Sequence, residues 1–142
     1  MTDEASLILI VDDNSQNLQF LGNFLMSKGY QLGFAKNGVE AIKFVKERQP
    51  DLILLDIMMP EMDGFETCRT LKGDINFRHI PVIFLTARSE TEDIVKGFKV
   101  GGVDYVTKPF ISEELLARIE THIQMKVLKG LLPVCAKCKK IR

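Results

Sequence analysis

The chain has 142 residues, of which 46% are hydrophobic, and its 19 basic and 19 acidic side chains cancel to a net charge of +0. This length suits one domain that buries a core without disulfides or structural metal, and the balanced charge excludes a global field favouring nucleic acid or membrane. No apolar stretch approaches the roughly 18 residues of a membrane span, and the short polar start does not fit a signal peptide, so we expect a cytoplasmic protein.

Five apolar runs of the sequence predict β-strands, and a helical pattern of apolar residues follows each of them. The runs are Leu7 to Val11, Tyr30 to Ala35, Leu52 to Leu55, Ile80 to Leu85 and Val103 to Thr107. This alternation, joined by short connections, predicts an α/β fold of the flavodoxin-like kind: a doubly wound parallel sheet of five strands in the order 2-1-3-4-5, with five helices.

The five helices are predicted from the spacing of their apolar residues. The first helix is predicted to bury Leu18, Leu21 and Leu25, and the second to bury Ala41, Ile42 and Val45. The third, from about Gly64 to Lys72, is predicted to bury Phe65, Cys68 and Leu71. The fourth, from about Glu90 to Val100, is predicted to bury Ile94, Val95 and Phe98. Ser112 opens the fifth helix, whose pattern continues past Gln124 to Gly130.

The central strand ends on an acid, Asp56. The four residues before it, Leu52 to Leu55, are continuously apolar, as in a parallel strand covered on both faces. Open α/β sheets bind ligands outside the carboxyl ends of their strands, so Asp56 is placed like a site residue. A strand-terminal cap or a solvated loop acid is the alternative for Asp56 on position alone.

Acidic and basic residues also follow the first and fifth strands. Asp12 and Asp13 end the first strand, and Lys108 follows the fifth. In the predicted strand order Asp12 and Asp13 converge with Asp56, and three carboxylates repel one another unless a cation lies among them. Mg²⁺, which prefers oxygen ligands, is the natural choice. Taken alone, the Asp12 and Asp13 pair also fits helix capping.

The same edge of the sheet offers the parts of a phosphoryl-transfer site. Lys108 would supply the counter-charge for a phosphoryl group on Asp56, and Thr86, at the end of the fourth strand, offers a hydroxyl donor. Viewed alone, Lys108 could equally be a solvated loop residue and Thr86 an ordinary strand-end threonine. The chemistry supported is attack of the Asp56 carboxylate on phosphorus to give an acyl phosphate.

Four motifs in this order resemble the receiver domain of two-component response regulators, over about Leu7 to Gln124. They are VDD at Val11 to Asp13, LLDIMMPEMDG at Leu54 to Gly64, LTA at Leu85 to Ala87 and DYVTKPF at Asp104 to Phe110. The resemblance implies that a histidine kinase or phosphotransfer protein phosphorylates Asp56 with the help of Mg²⁺.

The resemblance also implies roles for the residues around Asp56. Asp13 would bind Mg²⁺ directly, Asp12 through water, and Met58 through its backbone carbonyl, together with Asp56. Lys108 would pair with the phosphoryl oxygens, and the peptide bond before Pro109 would be cis, against the statistical preference for trans.

The implied product is a regulated binding module rather than an enzyme, one that catalyses only its own phosphoryl transfer and slow autodephosphorylation. Thr86 and Tyr105 would move on phosphorylation and alter the face of the fourth helix, fifth strand and fifth helix. A homodimer through that face, or through the extended fifth helix, is possible, and no nucleic-acid binding by this chain is expected. A phosphohydrolase is the alternative, disfavoured because Met58 stands where such enzymes carry a second aspartate.

Residues 1–124 are therefore predicted to form the receiver domain, and residues 125–142 a helical extension and the start of a linker or further module. Cys135 and Cys138 have the spacing of half a zinc site, whose usual four ligands one chain does not provide. The helical extension could form a coiled coil with a second copy or remain solvated.

Overall fold

The computed structural model describes residues 6–87 and 91–131, within which five strands alternate with five helices. The strands are β1 (Leu7–Val11), β2 (Gln31–Ala35), β3 (Leu52–Leu55), β4 (Val82–Thr86) and β5 (Asp104–Thr107). The helices are α1 (Ser15–Ser27), α2 (Gly38–Glu47), α3 (Gly64–Lys72), α4 (Thr91–Lys99) and α5 (Ser112–Leu131). The fourth strand starts later than predicted, after Pro81, which has no N–H to donate to a neighbouring strand.

All five strands are parallel and lie in the order β2-β1-β3-β4-β5, which confirms the predicted fold. Val11 stands opposite Leu55 in the register of β1 and β3, and Thr86 stands opposite Thr107 in that of β4 and β5. Because parallel strands end at the same edge, the residues that follow β1, β3, β4 and β5 emerge side by side.

Helices cover both faces of the sheet, which explains why the strands read as unbroken apolar runs. Helices α1 and α5 pack on one face, where the predicted residues Leu18, Leu21 and Leu25 are buried. Helices α2 and α3 pack on the other face, where Ala41, Val45, Phe65, Cys68 and Leu71 are buried as predicted and Ile42 is partly buried.

The prediction that Val95 and Phe98 of α4 point inward is wrong. Their side chains are 45% and 49% exposed, respectively, and Ile94 is only half-buried. The buried residue of this helix is Gly97, where an added Cβ would lie 3.1 Å from Cδ2 of Phe84. Because α4 contacts the sheet through a glycine, only a narrow strip of the helix surface is buried. Val95 and Phe98, on either side of Gly97 in the sequence, therefore remain at the protein surface. Glu90, the predicted start of α4, lies outside the described residues.

The last helix continues past Gln124 to Leu131, as its sequence pattern predicted. Residues 132–142, which include Cys135 and Cys138, lie outside the described residues. Within the part of the chain that is described, no helix combines the length and the apolar character needed to cross a membrane.

Asp104, at the start of β5, links this strand to α5. Nη1 of Arg118 donates to both carboxylate oxygens of Asp104, at 2.8 and 2.9 Å, and Nε2 of His122 lies 3.2 Å from one of them. Burial alone would raise the pKa of Asp104, but hydrogen bonds from the Tyr105 amide, Arg118 and His122 together outweigh burial, so the pKa lies below its usual value.

We expect Asp104→Asn to lower the free energy of unfolding at neutral pH by about 1–2 kcal/mol, the scale of a charged hydrogen bond to a partly exposed partner. A depressed folded-state pKa gives stability that is present above the ordinary aspartate pKa of about 3.9 and is lost as pH falls through the lower folded value. The difference between wild type and variant in urea titrations should therefore shrink at low pH. A difference that grows on acidification would contradict this assignment.

Candidate functional site

Three acids meet at the carboxyl edge of the sheet. Asp12 and Asp13 follow β1 and Asp56 follows β3, and one carboxylate oxygen of each lies within 4.8 Å of the others. The structure thus brings together the three acids that the sequence placed at neighbouring strand ends. Such an arrangement requires positive charge nearby, because the three carboxylates repel one another.

The three acids differ in their surroundings. Asp12 and Asp56 are buried, at 3% and 8% exposure, whereas Asp13 is exposed. Asp12 accepts hydrogen bonds from the Asn14 amide at 2.9 Å and from Nδ2 of Asn17 at 3.2 Å. Asn14, rather than Asp12 or Asp13, is the N-cap residue of α1, so neither of these two acids is the capping residue. The exposed acid is the one open to ligands arriving from solvent.

Lys108 supplies positive charge to this cluster. Its Nζ lies 2.9 Å from Oδ2 of Asp12 and 3.6 Å from Oδ2 of Asp56, and its side chain is 20% exposed. The amide of Lys108 donates to the carbonyl of Thr86 at 2.8 Å, which anchors the segment to β4. The following peptide bond, to Pro109, is cis, as the family resemblance implied.

The environment of Asp56 determines its ionisation. Burial is the main cause that raises its pKa, and the charge of Asp12 adds to the effect. Lys108, a hydrogen bond from the Thr86 side chain and one from the Met58 amide at 3.3 Å lower the pKa only in part, so it remains above its usual value. Further positive charge in the pocket would therefore favour the ionised, nucleophilic form of Asp56.

Thr86 and Tyr105, the two predicted switch residues, occupy different places. Thr86 is fully buried at the end of β4, beside Asp56. Tyr105 is half-buried on β5 and packs on the ring of Phe84, its register partner on β4. The structure therefore joins Thr86 to the carboxylate cluster and places Tyr105 under helix α4.

Two features of the site were missed by the sequence prediction. The Asn17 side chain reaches Asp12 from the first turn of α1, and Gly64 packs against the backbone of Asp56, where an added Cβ would lie 2.3 Å from the carbonyl oxygen. An asparagine in the first helical turn after two acids is a weak signal, while the glycine belongs to the DG pair that ends the LLDIMMPEMDG motif.

The side chains present fit a divalent ion such as Mg²⁺. Mg²⁺ binds through one or two carboxylates and retains several waters, and the exposed position of Asp13 leaves room for them. The buried carboxylates of Asp12 and Asp56 already share Lys108, so a bound dication would complete the neutralisation of the cluster.

Comparison with known proteins gives consistent results. The family model of the response regulator receiver domain matches residues 8–120. The chain is 43% identical over 125 residues to a Vibrio cholerae protein named as a probable cyclic di-GMP phosphodiesterase, covering 88% of this chain and 28% of that protein. It is 38% identical over 117 residues to the DNA-binding response regulator MtrA of Mycobacterium tuberculosis, covering 82% of this chain and 50% of that protein.

Among solved structures, the signal receiver domain of a histidine kinase from Syntrophus aciditrophicus matches with a TM-score of 0.80 at 40% identity, covering 85% of this chain and 92% of that one. A receiver domain protein from Methanospirillum hungatei matches with a TM-score of 0.84 at 25% identity, covering 89% and 100%. The chain spans only between 28% and 50% of the length of the two curated relatives described above.

Proposed function

Because the chain belongs to the response regulator receiver domain family, we propose that it is a switch in two-component signalling that is phosphorylated on Asp56. The observation that carries the proposal is the pocket at the carboxyl edge of the sheet. There one carboxylate oxygen each of Asp12, Asp13 and Asp56 lie within 4.8 Å of one another, and Nζ of Lys108 lies 3.6 Å from Oδ2 of Asp56.

The proposed reaction is transfer of a phosphoryl group from a phosphohistidine of a histidine kinase or phosphotransfer protein. A carboxylate oxygen of Asp56 attacks phosphorus, the phosphorus–nitrogen bond breaks, and the histidine ring leaves with the electron pair. Lys108 would hold one phosphoryl oxygen, and Thr86 would donate its hydroxyl to another. No general base is needed, because a carboxylate attacks phosphorus without losing a proton in that step.

Mg²⁺ would be held by Asp13 and Asp56, by Asp12 through water, and by the carbonyl of Met58. When bound, it neutralises charge on the phosphoryl group as it is transferred. Met58 is 59% exposed, and its amide donates to Oδ1 of Asp56 at 3.3 Å, so its backbone lies beside the acceptor carboxylate.

The phosphorylated state is proposed to act through surface change rather than through turnover. A phosphoryl group adds about −1.5 to −2 charge units and strong acceptor oxygens next to the buried Thr86 hydroxyl. Movement of Thr86 toward that group would alter the packing of Tyr105 and the α4, β5 and α5 face. This face, or the extended α5, would then control a partner, a second copy or a further domain.

The test of the proposed function is incubation with Mg²⁺ and a small-molecule phosphodonor such as acetyl phosphate, followed by intact mass measurement. We expect the wild-type chain to gain one phosphoryl group, and excess EDTA to prevent the gain. Steady release of inorganic phosphate from a phosphoester, with many turnovers per chain, would instead favour the phosphohydrolase alternative.

Asp13→Asn is expected to weaken Mg²⁺ binding at least about tenfold, which corresponds to about 1.4 kcal/mol. The substitution removes one of the three carboxylates, the exposed one, which would bind the ion directly. Isothermal titration calorimetry measures the change, with Glu61→Gln, at an exposed acid of the loop after β3, as the matched control. Equal Mg²⁺ affinities for Asp13→Asn and wild type would remove Asp13 from the metal site.

A further inference from the structure

Three aromatic rings form a continuous row through the core on the side of the sheet that faces α3 and α4. Phe65 of α3 lies 5.6 Å from Phe84 of β4, and Phe84 lies 6.0 Å from Tyr105 of β5, measured between ring centroids. We call these residues the aromatic ladder. Its middle ring, Phe84, is fully buried.

One side of the aromatic ladder adjoins the proposed phosphoacceptor site. Side chains alternate along a strand, so Phe84 shares its face of β4 with Thr86, the next residue on that face. Phe65 directly follows Gly64, which packs against the backbone carbonyl of Asp56. The ladder therefore adjoins the site both through β4 and through the first turn of α3.

The other side of the ladder supports helix α4. A Cβ added at Gly97 would lie 3.1 Å from Cδ2 of Phe84 and 3.2 Å from Cδ2 of Tyr105, so the backbone of α4 rests on both rings. Nζ of Lys96 lies 4.7 Å from the centroid of the Phe65 ring, which is a cation–π contact from the same helix. All three rings of the ladder thus have a neighbour on α4.

The connection that follows α4 also packs closely against Phe84. A Cβ added at Gly102, in the connection between α4 and β5, would lie 2.6 Å from Cε2 of Phe84. Interiors packed this tightly shift between discrete arrangements rather than deforming smoothly. An inward turn of Tyr105 would therefore press on the Phe84 ring, and a move of Phe84 would press on the backbone at Gly97 or Gly102.

We propose that Phe84 is a positioning residue that couples the phosphoacceptor site to α4, so that Tyr105 and α4 change position together. The inference rests on the proposed function, since it concerns how phosphorylation of Asp56 reaches the surface. Phe84 touches neither the carboxylates nor the phosphoryl group in this scheme. Its replacement should leave phosphoryl uptake intact and remove only the response of α4.

The experiment compares wild type, Phe84→Leu and Phe77→Leu, each with and without acetyl phosphate and Mg²⁺. Phe77 is a matched control because it is a buried aromatic of the same core cluster that lies outside the aromatic ladder. Intact mass gives the phosphorylated fraction of every sample. Hydrogen exchange of the backbone amides of Thr91–Lys99 reports α4 in the same samples.

A second readout follows Tyr105 directly. The chain has two tyrosines and no tryptophan, so a Tyr30→Phe background leaves Tyr105 as the single strong emitter. We expect phosphorylation to change α4 exchange by roughly fivefold or more in wild type and Phe77→Leu, the usual lower range of allosteric coupling. Phe84→Leu should gain its phosphoryl group while its α4 exchange stays unchanged, so that any change in Tyr105 emission is no longer accompanied by a change in α4.

A wild-type response in phosphorylated Phe84→Leu would overturn the inference, and so would an equal loss of response in Phe77→Leu. If Phe84→Leu does not fold, Phe84→Met, which keeps most of the side-chain volume on a flexible chain, carries the same expectations. Failure of the wild-type chain to gain a phosphoryl group is a separate outcome, visible by mass, and would overturn the proposed function together with the inference built on it.

Discussion

Asp56→Asn is expected to abolish phosphoryl uptake and, in the absence of divalent ions, to stabilise the fold. Asparagine keeps the size of the side chain but has no anionic oxygen to attack phosphorus, so the mass gain should disappear. The raised pKa of Asp56 means that its ionised form is destabilising in the folded state. Removing that charge should increase the free energy of unfolding at neutral pH on the order of 1 kcal/mol.

The pH dependence of this stabilisation follows from the direction of the shift. For an acid whose folded pKa is raised, stability falls as pH rises from the unfolded pKa of about 3.9 through the folded value. The advantage of Asp56→Asn over wild type in urea titrations should therefore vanish at acidic pH, where the carboxyl group is protonated in both states, and grow as the pH rises.

Asp63→Asn is the matched control for this variant. Asp63 caps α3 by accepting from the Glu66 amide, a role that asparagine performs equally well, so both stability and phosphoryl uptake should remain at wild-type levels. Phosphoryl uptake by Asp56→Asn at the wild-type level would show that another residue is the acceptor. Uptake lost in both variants would point to general damage near the loop that follows β3.

The sequence predicted the sheet and the acid cluster because both depend on local and simple rules. Unbroken apolar runs such as Leu52 to Leu55 indicate strands buried on both faces, and parallel strands place their end residues at one edge. The strand order alone therefore predicts that Asp12 and Asp56 lie close together, whatever the details of the helices.

The contacts of α4 and of Phe84 could not be predicted in the same way. The apolar pattern of α4 suggested that Val95 and Phe98 face the sheet, but a single glycine sets the approach of this helix, and periodicity gives no weight to glycine. The packing of Phe84 on Tyr105 depends on the register of β4 with β5, which only the assembled sheet defines. The reach of Asn17 to Asp12 likewise depends on the rotation of α1 about its axis.

Gly64→Ala is expected to damage both the fold and the site, although it adds only one methyl group. The new Cβ would lie 2.3 Å from the carbonyl oxygen of Asp56 and 2.7 Å from Cα of Ile57, and backbone atoms in a buried loop cannot move aside cheaply. The Gly64 amide also donates to the carbonyl of Ile57 at 2.9 Å, so the two segments cannot separate without losing a hydrogen bond. We expect a loss of about 3 kcal/mol in the free energy of unfolding, the upper part of the usual range for overpacking.

The functional effect of Gly64→Ala should exceed what the loss of stability explains. Displacing the backbone of Asp56 moves its carboxylate away from Lys108 and Thr86, and a misplacement of about 1 Å at a reacting group costs on the order of 100-fold in rate. Phosphoryl uptake should therefore slow to that extent at temperatures where the variant is still folded by circular dichroism.

Gly73→Ala separates this steric effect from the general cost of replacing a glycine at an end of α3. Gly73 ends the helix with φ of −77°, and an added Cβ would lie 3.3 Å from the Arg69 carbonyl oxygen, so alanine is accommodated with little adjustment. Its stability should stay within about 1 kcal/mol of wild type, because alanine also restricts the unfolded chain, and its uptake rate should not change. If Gly64→Ala behaved like Gly73→Ala, the close contact between the start of α3 and Asp56 would not be what holds the acceptor carboxylate in place.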